Sequence, residues 1–553
     1  MLLSTLEMEA TGKIHIACEA CRKKKIKCDP QQPSCLYCTR KGITCVYAPR
    51  SKTRKRAKLS ELRTLKKENS LLKKELTVSS ISINTGFSDP ETIIPTVSGT
   101  GTTSIAFTEL DPMLHSDLET ITVPETVQQM YRMIKTVHPF LTDDVEFQDV
   151  FGLLSLLEFH TLLENYWKYE NVNIMVVWKR IFVCDLLSEN GDAGEHASKS
   201  LILGLLAVGS TFAYNRNLIA KGYKCFELAK KYLKTDELWN PTVTTPQTIC
   251  LLCMFEHARG NKTEESYYSR LAVNYALEIG LNDDNVTKTN TFSKDQETVR
   301  RFTWWSCYQI DILVRASLRQ APTVKKETIC VNPPQVSPAR YIMGLPDEQK
   351  DSFFEFSFFS TITLELFVIA GETADFCYGT WPNISNEQRR SLVESCTNEL
   401  KAFWCTTSEK LDSMTPQILT FKIRFCYTNI AISGYFIEPM MLVLGEYELI
   451  SLRRCVNFAE ELLTHLETFE KMYGILTMET FASDFISAGM KVVLCALSFD
   501  CNNRQEEERL LDFVNRFIRL MLSFPNTERY ISNLSTIRNT LTEWSCDLSP
   551  SIV

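Results

Sequence analysis

Six cysteines near the N-terminus have a spacing that suits metal coordination. Their order is Cys18-x2-Cys21-x6-Cys28-x6-Cys35-x2-Cys38-x6-Cys45. In each half, two thiolates separated by two residues can reach one ion from a single helical turn, and a third returns after a loop. Three thiolates leave a tetrahedral zinc ion one ligand short, so two ions can share six cysteines only if two sulfurs bridge. The spacing therefore predicts a binuclear zinc cluster.

Other uses of these cysteines explain less of the pattern. Soft thiolates, with His15 as the one nearby histidine, favour zinc over hard cations. An iron–sulfur cluster needs four cysteines and leaves the basic residues between Cys21 and Cys28 without a role, and a redox CxxC pair accounts for only two cysteines. A later CxxC, Cys250 and Cys253, has no second pair nearby, and we interpret it as helix core.

Charge is distributed unevenly along the 553 residues. The net charge is −7, but residues 1–76 carry +12 and the remainder −19. A small basic head on a large acidic body predicts a polyanion-binding module joined to a region that does not touch DNA. The first residues lack a secretory signal, and the longest apolar run, around Leu201–Ala213, is too short for a bilayer. We expect a soluble intracellular protein with reduced thiols.

The basic residues between the second and third cysteines suggest what the cluster binds. Five cations occupy six positions, namely Arg22, Lys23, Lys24, Lys25 and Lys27. An isolated basic run is usually a solvated surface, but this one lies between metal ligands. A phosphate backbone facing these side chains would relieve the repulsion between their charges and release counterions. Double-stranded DNA is the predicted partner.

The segments ACEACRKKKIKC and PSCLYCTRKGITCVY closely resemble the fungal zinc binuclear cluster transcription factors. The resemblance implies that Cys18 and Cys35 bridge two zinc ions. It also implies that a short helix enters the major groove and reads a CGG-type triplet through Lys24 and Lys25, since lysine can donate to guanine O6 and N7. The remaining basic residues would then position the module on phosphates; these are Arg22, Lys23, Lys27, Arg40 and Lys41.

A short leucine-periodic helix follows the cluster and predicts dimerisation. Its heptad a and d positions are Leu62, Leu65, Asn69, Leu72 and Leu76. Asn at a single a position specifies a two-stranded parallel register. Only about two and a half heptads are visible, so a solitary amphipathic helix is the alternative, but members of the resembling family dimerise at this place. The preceding basic run, Arg50–Lys58, can contact phosphates and act as a nuclear import signal.

From about Glu125 the chain carries apolar residues at helical spacing and predicts a mostly α protein with a large all-α body. The clearest segments are Ser198–Ala213, Lys224–Leu233, Thr245–His257, Glu264–Ile279 and Thr298–Ser317. Residues 198–334 resemble the fungal-specific transcription factor regulatory domain. The most specific motif has Arg300, Arg301, Trp304, Trp305 and Asp311; where the family often has Gly-Arg-Pro, this chain has Gln320-Ala321-Pro322. We interpret the Trp pair as core.

These features predict the following organisation: a disordered tail (1–17), the zinc cluster (18–47), a basic linker (48–58), a coiled-coil helix (59–78), a flexible linker (79–124), the all-α regulatory domain (125–545) and a tail (546–553). No Ser/His/Asp spacing, phosphate loop or HExxH motif suggests an enzyme. Residues 107–121 mix acidic and apolar side chains, either to dock on coactivators or as plain linker.

The predicted function is that of a nuclear, homodimeric transcription regulator of RNA polymerase II genes that binds CGG-type triplets. Two alternatives remain open at this point. One is a DNA-anchored structural adaptor of the centromere type that uses the same module. The other is a metal-buffering or redox protein, whose binding to DNA would not depend on Lys24 and Lys25.

Overall fold

The computed structural model describes residues 21, 24, 28–29, 34–45, 123–137, 139–188, 196–213, 215–289, 292–334, 350–380, 385–434, 446–499 and 504–524. The chain divides into two compact units, Met1–Pro112 and Met113–Val553. In the first unit, helix α1 spans Leu36–Lys41. The described part of the second unit is built of α-helices, with one isolated β-bridge between Asp283 and Cys330 and no strand among those residues. The prediction of a mostly α protein is confirmed.

The helices of the second unit are α2 (Glu125–Arg132), α3 (Pro139–Thr142), α4 (Val145–Phe151), α5 (Leu156–Asn165), α6 (Lys179–Leu186), α7 (Lys199–Ser210), α8 (Arg216–Tyr232), α9 (Thr244–Ala258), α10 (Lys262–Glu278), α11 (Asp284–Thr289), α12 (Lys294–Leu318), α13 (Lys350–Ala374), α14 (Asn386–Thr407), α15 (Pro416–Gly434), α16 (Glu446–Tyr473), α17 (Ala482–Phe499) and α18 (Arg504–Leu522). Short π-helical turns extend α2, α5, α8 and α13, at Met133–Val137, Tyr166–Glu170, Leu233–Glu237 and Asp375–Thr380.

Most packing is between successive helices. Helix α7 packs on α8, α9 on α10, α15 on α16, and α17 on α18. Helix α12 packs against α9 and α10 on one side and against α13 on another, and α13 in turn packs on α15. Helices α12 and α13 therefore connect the earlier and later groups, and one continuous apolar core runs through both.

The predicted helical segments coincide with observed helices, and local capping explains where two of them begin. Helix α7 starts after Ser198, whose side chain accepts a hydrogen bond from the Leu201 amide. Helix α12 starts four residues before the predicted Thr298, because Ser293 and Gln296 form a capping box that satisfies backbone amides at both positions. Periodicity located the apolar face of α12, whereas the cap set its first residue.

The close crossing of α5 and α7 depends on Gly209. A Cβ atom at this position would collide with the Leu162 carbonyl oxygen and lie 2.8 Å from its carbonyl carbon. The Asn165 side-chain amide also donates to the Gly209 carbonyl oxygen at 3.2 Å. A side chain at position 209 would therefore collide with the backbone of Leu162, which cannot rotate away as a flexible side chain can.

We expect Gly209→Ala to lower the free energy of unfolding by about 2–3 kcal/mol, because the two helices must separate to admit the methyl group. Urea denaturation followed by helical circular dichroism measures the change. Gly434→Ala is the matched control, since nothing lies within 4 Å of a Cβ added there, and it should be neutral or slightly stabilising. Equal stability of the two variants would contradict the close approach.

The Arg-Trp motif of α12 belongs to the core. Trp304 and Trp305 are both buried, as predicted. Arg301 forms an ion pair with Asp284 (Nε–Oδ1 3.0 Å), and Arg300 donates to the carbonyl oxygens of Ile279 and Gly280 at 2.9 and 3.1 Å. The two arginines thus fix the end of α10 and the start of α11 against α12.

The turn after α12 is held by Asp311. Arg319 ends the helix in the left-handed region (φ 52°). The buried Asp311 carboxylate then accepts hydrogen bonds from the Thr323 amide and hydroxyl, both at 2.7 Å, and from Arg315 Nε at 3.3 Å. Gln320 accepts from Arg270 at 2.9 Å. This turn therefore closes without the Gly-Arg-Pro sequence.

A buried ionic cluster joins distant parts of the second unit. Arg424 of α15 makes a two-pronged contact with the Glu479 carboxylate, with Nε–Oε1 at 2.8 Å, and its Nη1 donates to the Asn173 carbonyl oxygen at 3.3 Å. Next along the chain, the Thr480 amide and hydroxyl donate to Glu170 Oε2 at 2.9 and 2.5 Å. Glu170 Oε1 is buried with no hydrogen-bond partner.

Burial, together with the negative charge of Glu479, raises the pKa of Glu170 to about 7. The folded state therefore holds the proton more tightly than the unfolded chain, in which the pKa of a glutamate is about 4.3. Because the folded state binds more protons between these values, the free energy of unfolding should fall as the pH rises from about 4.5 to 7.

We expect Glu170→Gln, which keeps an oxygen that can accept from Thr480, to abolish the fall in stability with rising pH. At pH 8 this variant should have a free energy of unfolding about 1–3 kcal/mol higher than the unmodified protein. The measurement is a series of urea denaturations from pH 5 to pH 8 on both proteins. Parallel pH profiles for the two proteins would show that Glu170 does not titrate in this range.

Candidate metal centre

The cysteine-rich segment is organised around helix α1. Cys35 lies at the N-cap position, and Cys38 is one turn inside the helix. The helix ends at Gly42, whose left-handed conformation (φ 62°) lets its amide donate back to Thr39. Cys35 and Cys38 therefore lie one helical turn apart, with their sulfur atoms within 4.8 Å of each other.

The thiols converge on one another in a space that excludes solvent. Cys21, Cys35 and Cys38 are fully buried, and their sulfur atoms lie within 4.8 Å of one another. The Cys21 and Cys35 sulfurs are 3.6 Å apart. Two thiolates on one tetrahedral zinc ion are about 3.8 Å apart, because the Zn–S bond is about 2.3 Å. The donor set and its spacing fit zinc.

Cys35 belongs to two groups of potential ligands. One consists of Cys21, Cys35 and Cys38, and the other of Cys28, Asp29 and Cys35; within each group the donor atoms lie within 4.8 Å of one another. The Cys35 amide also donates to Cys45 Sγ at 3.3 Å. Cys35 is the residue that these two groups share.

Asp29 is a residue of this site that sequence analysis did not identify. Its carboxylate accepts the Leu36 amide, at 3.1 Å to Oδ1 and 3.3 Å to Oδ2, and so caps helix α1 from seven residues upstream. Cys35, at the N-cap position, makes no side-chain cap itself. In the sequence, Asp29 stands out as an acidic residue in a basic segment, directly after Cys28.

Three of the basic residues predicted to contact DNA are described, and all three are exposed. Lys24 Nζ lies 5.8 Å from the centre of the Tyr37 ring, within the range of a cation–π contact. Arg40 and Lys41 lie in the last turn of α1, where the helix dipole favours positive charge. Their side chains reach solvent from the surface of the cysteine cluster.

The remaining predicted site residues lie outside the described residues. They are Cys18, Arg22, Lys23, Lys25 and Lys27 of the cluster and Leu62, Leu65, Asn69, Leu72 and Leu76 of the dimerisation helix. The same holds for residues 50–58 and 107–121 and for both predicted tails.

The family model for the fungal Zn(2)-Cys(6) binuclear cluster domain matches residues 16–55, and the model for the fungal specific transcription factor domain matches residues 163–405. The chain belongs to the fungal zinc binuclear cluster family. Both regions in which the sequence resembled this family, the cysteine cluster and residues 198–334, lie within the matched segments. Zinc binding and a regulatory domain are therefore properties of this family member.

Curated relatives of this family member carry the names of regulators. An uncharacterized transcriptional regulatory protein of Schizosaccharomyces pombe is 23% identical over 75% of this chain and 67% of the relative. A second such protein from that organism is 24% identical over 57% of this chain and 50% of the relative. The nitrogen assimilation transcription factor nirA of Emericella nidulans is 23% identical over 54% of this chain and 39% of the relative. No solved structure gave a significant match.

Among the described residues of the second unit, one further group has metal-type donors. His257, Glu265 and Asp484 place donor atoms within 4.8 Å of one another. Lys262 Nζ, however, lies 3.2 Å from carboxylate oxygens of both Glu265 and Asp484. Burial opposes ionisation of Glu265, yet its pKa lies below the usual value because His257 and Lys262 face it. The lysine supplies the positive charge, and the group is an ion-pair cluster.

The second CxxC is part of the core, as predicted. Cys250 and Cys253 are fully buried in α9. Burial raises the pKa of both thiols well above its ordinary value, which disfavours the thiolate that metal binding and redox chemistry need. None of the helices in the described part of the chain is long and apolar enough to cross a membrane.

Proposed function

We propose that this protein is a nuclear, sequence-specific transcription regulator of RNA polymerase II genes, and that it binds paired CGG-type triplets as a homodimer through a two-zinc cluster. The observation that carries the proposal is that Cys35 belongs to both ligand groups of a segment in which Lys24 is exposed and lies over the Tyr37 ring. The matched domains and the regulator names of the relatives support a role in transcription.

In this proposal each part of the chain has a separate task. Cys18 and Cys35 bridge the two ions, and the other four cysteines complete the ligand sets. Lys24 and Lys25 read bases, whereas Arg40 and Lys41, with the remaining basic residues, contact phosphates. The helix with Asn69 pairs two copies, since one cluster reads too few base pairs to be selective. Coactivators or other transcription machinery then meet the protein on DNA.

In vitro selection of bound DNA with the full chain tests the specificity directly. We expect enrichment of two CGG-type triplets at a fixed separation and orientation, and loss of all binding when a strong zinc chelator is added. Enrichment of a single triplet would contradict the homodimer, and enrichment of no sequence would contradict base reading. Occupancy at a few chromosomal loci, with unchanged transcripts after deletion, would favour a structural adaptor instead.

Replacing Lys24 and Lys25 together with alanine should lower affinity for the selected sequence at least about 30-fold, because base contacts contribute about 1–3 kcal/mol each. Affinity for unrelated DNA should change much less. Lys41→Ala is the matched control: as a phosphate contact it should weaken binding to all sequences alike and reduce the salt slope by about one. Fluorescence anisotropy at several salt concentrations separates the two patterns. Unchanged specific affinity in the double variant would refute its base-reading role.

A further inference from the structure

A groove that is open to solvent lies between α4 and α8 of the second unit. Its volume is about 570 Å³, within the range of ligand-binding clefts. The chain after residue 76 carries a net charge of −19, yet lysines outnumber acidic residues in this groove. The charged residues that line it are Lys224, Lys230, Lys231, Lys234, Glu146 and Glu227. We call it the basic groove, and its charge favours an anionic partner.

The two acidic residues of the basic groove are each paired with a lysine. Lys231 of α8 forms an ion pair with Glu146 of α4. Lys230 pairs with Glu227 three residues earlier in α8, at 2.9 Å. Because both carboxylates are neutralised by residues of the groove itself, the charge that remains for a partner is positive.

Lys224 and Lys234 carry this remaining charge. Both are exposed, and neither has an ion pair or a hydrogen bond within the part of the chain that the structure describes. They are ten residues apart, which corresponds to roughly 15 Å along a helix axis. A partner that pairs with both lysines must therefore present anionic groups over about three helical turns.

Apolar side chains lie between the lysines of the basic groove. Leu228 is 5% exposed, Val150 is partly buried and Tyr223 is 41% exposed. The Tyr223 ring is held in place by its neighbours, with Arg259 over its face at 4.9 Å and the Phe255 ring 6.4 Å away. A large aromatic ring that is already fixed loses little conformational freedom on binding, which is typical of an interface anchor.

This mixed lining favours an acidic peptide over a nucleic acid. A phosphate backbone carries a negative charge on every nucleotide, so it would face Glu146 and Glu227 as well as the lysines. It also offers no apolar side chain to Leu228 and Tyr223. An acidic amphipathic helix has both parts, because its carboxylates can pair with the lysines while its apolar side chains enter the groove.

We propose that the basic groove binds an acidic amphipathic helix of a partner protein. Carboxylates of the helix pair with Lys224 and Lys234, and its apolar side chains contact Tyr223 and Leu228. The site lies in α4, in α8 and in the turn that extends α8, and it does not depend on the proposed DNA specificity.

Fluorescence anisotropy with the full chain and a labelled synthetic peptide tests the proposal. The peptide has about twelve residues, glutamate and leucine at helical spacing, so that it forms about three turns. We expect a dissociation constant below about 100 µM that rises as salt is added. A peptide with serine in place of leucine has the same charge and should bind at least about tenfold more weakly, because it lacks the apolar contacts. No binding of the glutamate–leucine peptide, or equal binding of the serine peptide, would overturn the proposal.

Charge reversal locates the binding. Lys224→Glu together with Lys234→Glu should weaken peptide binding at least about tenfold, because like charges then face each other. The melting temperature should not change, since both lysines are exposed and unpaired among the described residues. The matched control is Lys294→Glu with Lys401→Glu, which makes the same charge change at two other exposed lysines and should leave peptide binding intact.

Two outcomes of this comparison contradict a site in the basic groove. If the groove variant binds the peptide as the unmodified chain does, the peptide binds elsewhere, for example to the basic N-terminal residues. If the control variant loses as much affinity as the groove variant, the attraction comes from the overall charge of the chain. Either result overturns the proposal.

Discussion

Replacing Cys35 with serine is expected to remove both ions of the proposed two-zinc cluster and to lower DNA affinity at least about 100-fold. Cys35 is the one residue common to the two described ligand groups, so its loss removes a ligand from each. Structural zinc contributes roughly 10–16 kcal/mol to the folding of small zinc domains. A cluster with both ions undercoordinated therefore cannot keep its DNA-binding surface in place.

Two further variants make this prediction specific to a bridging ligand. Cys38→Ser removes a residue found in only one group, and we expect it to retain more zinc than Cys35→Ser. Cys184→Ser, at an exposed cysteine of α6, should retain all zinc and full affinity. Metal content per chain and anisotropy on the selected DNA are the measurements. Equal zinc loss from the Cys35 and Cys38 variants would show that Cys35 is an ordinary terminal ligand.

Arg424→Met should destabilise the second unit by about 3–5 kcal/mol, because it leaves the Glu479 carboxylate buried without its partner. Both side chains are at most 1% exposed. The nearby Glu170 makes the loss of stability larger, because its carboxyl group lies in the same buried cluster and also faces the positive charge of Arg424. Urea denaturation followed by helical circular dichroism gives the change in the free energy of unfolding.

A surface pair of the same chemistry is the control for this variant. Arg519 of α18 contacts Glu470 at 2.8 Å but is 53% exposed, so Arg519→Met should change stability by less than about 1 kcal/mol. Replacing Arg424 and Glu479 together with methionine should recover much of the loss, because no unpaired charge then remains buried. If the double variant is as unstable as Arg424→Met alone, the loss of stability comes from altered packing and not from the unpaired charge.

The helical core was largely predictable because its signal is local. Apolar residues at helical spacing identified the segments that became α7, α9, α10 and α12, and the size of the tryptophan rings indicated that Trp304 and Trp305 are buried. The first residues of these helices were less predictable. The start of α12 depends on a reciprocal contact between Ser293 and Gln296, which an apolar pattern does not contain.

The Zn(2)-Cys(6) domain was predictable from the sequence alone because its six cysteines lie within 28 residues, where chain geometry restricts which thiols can share an ion. The participation of Cys35 in both described groups agrees with that spacing. The cap that Asp29 provides was not predictable in the same way. It depends on the path of the chain between Cys28 and Cys35, which ligand spacing does not specify.

The sequence by itself determined the zinc chemistry, the basic surface beside it and the helical class of the body. Each of these follows from residue types at short, regular separations. Only the tertiary structure decided which buried groups meet in the second unit. Arg424 and Glu479 are 55 residues apart and Glu170 and Thr480 are 310 apart. Such contacts arise from helix packing, which brings together residues that no local pattern connects.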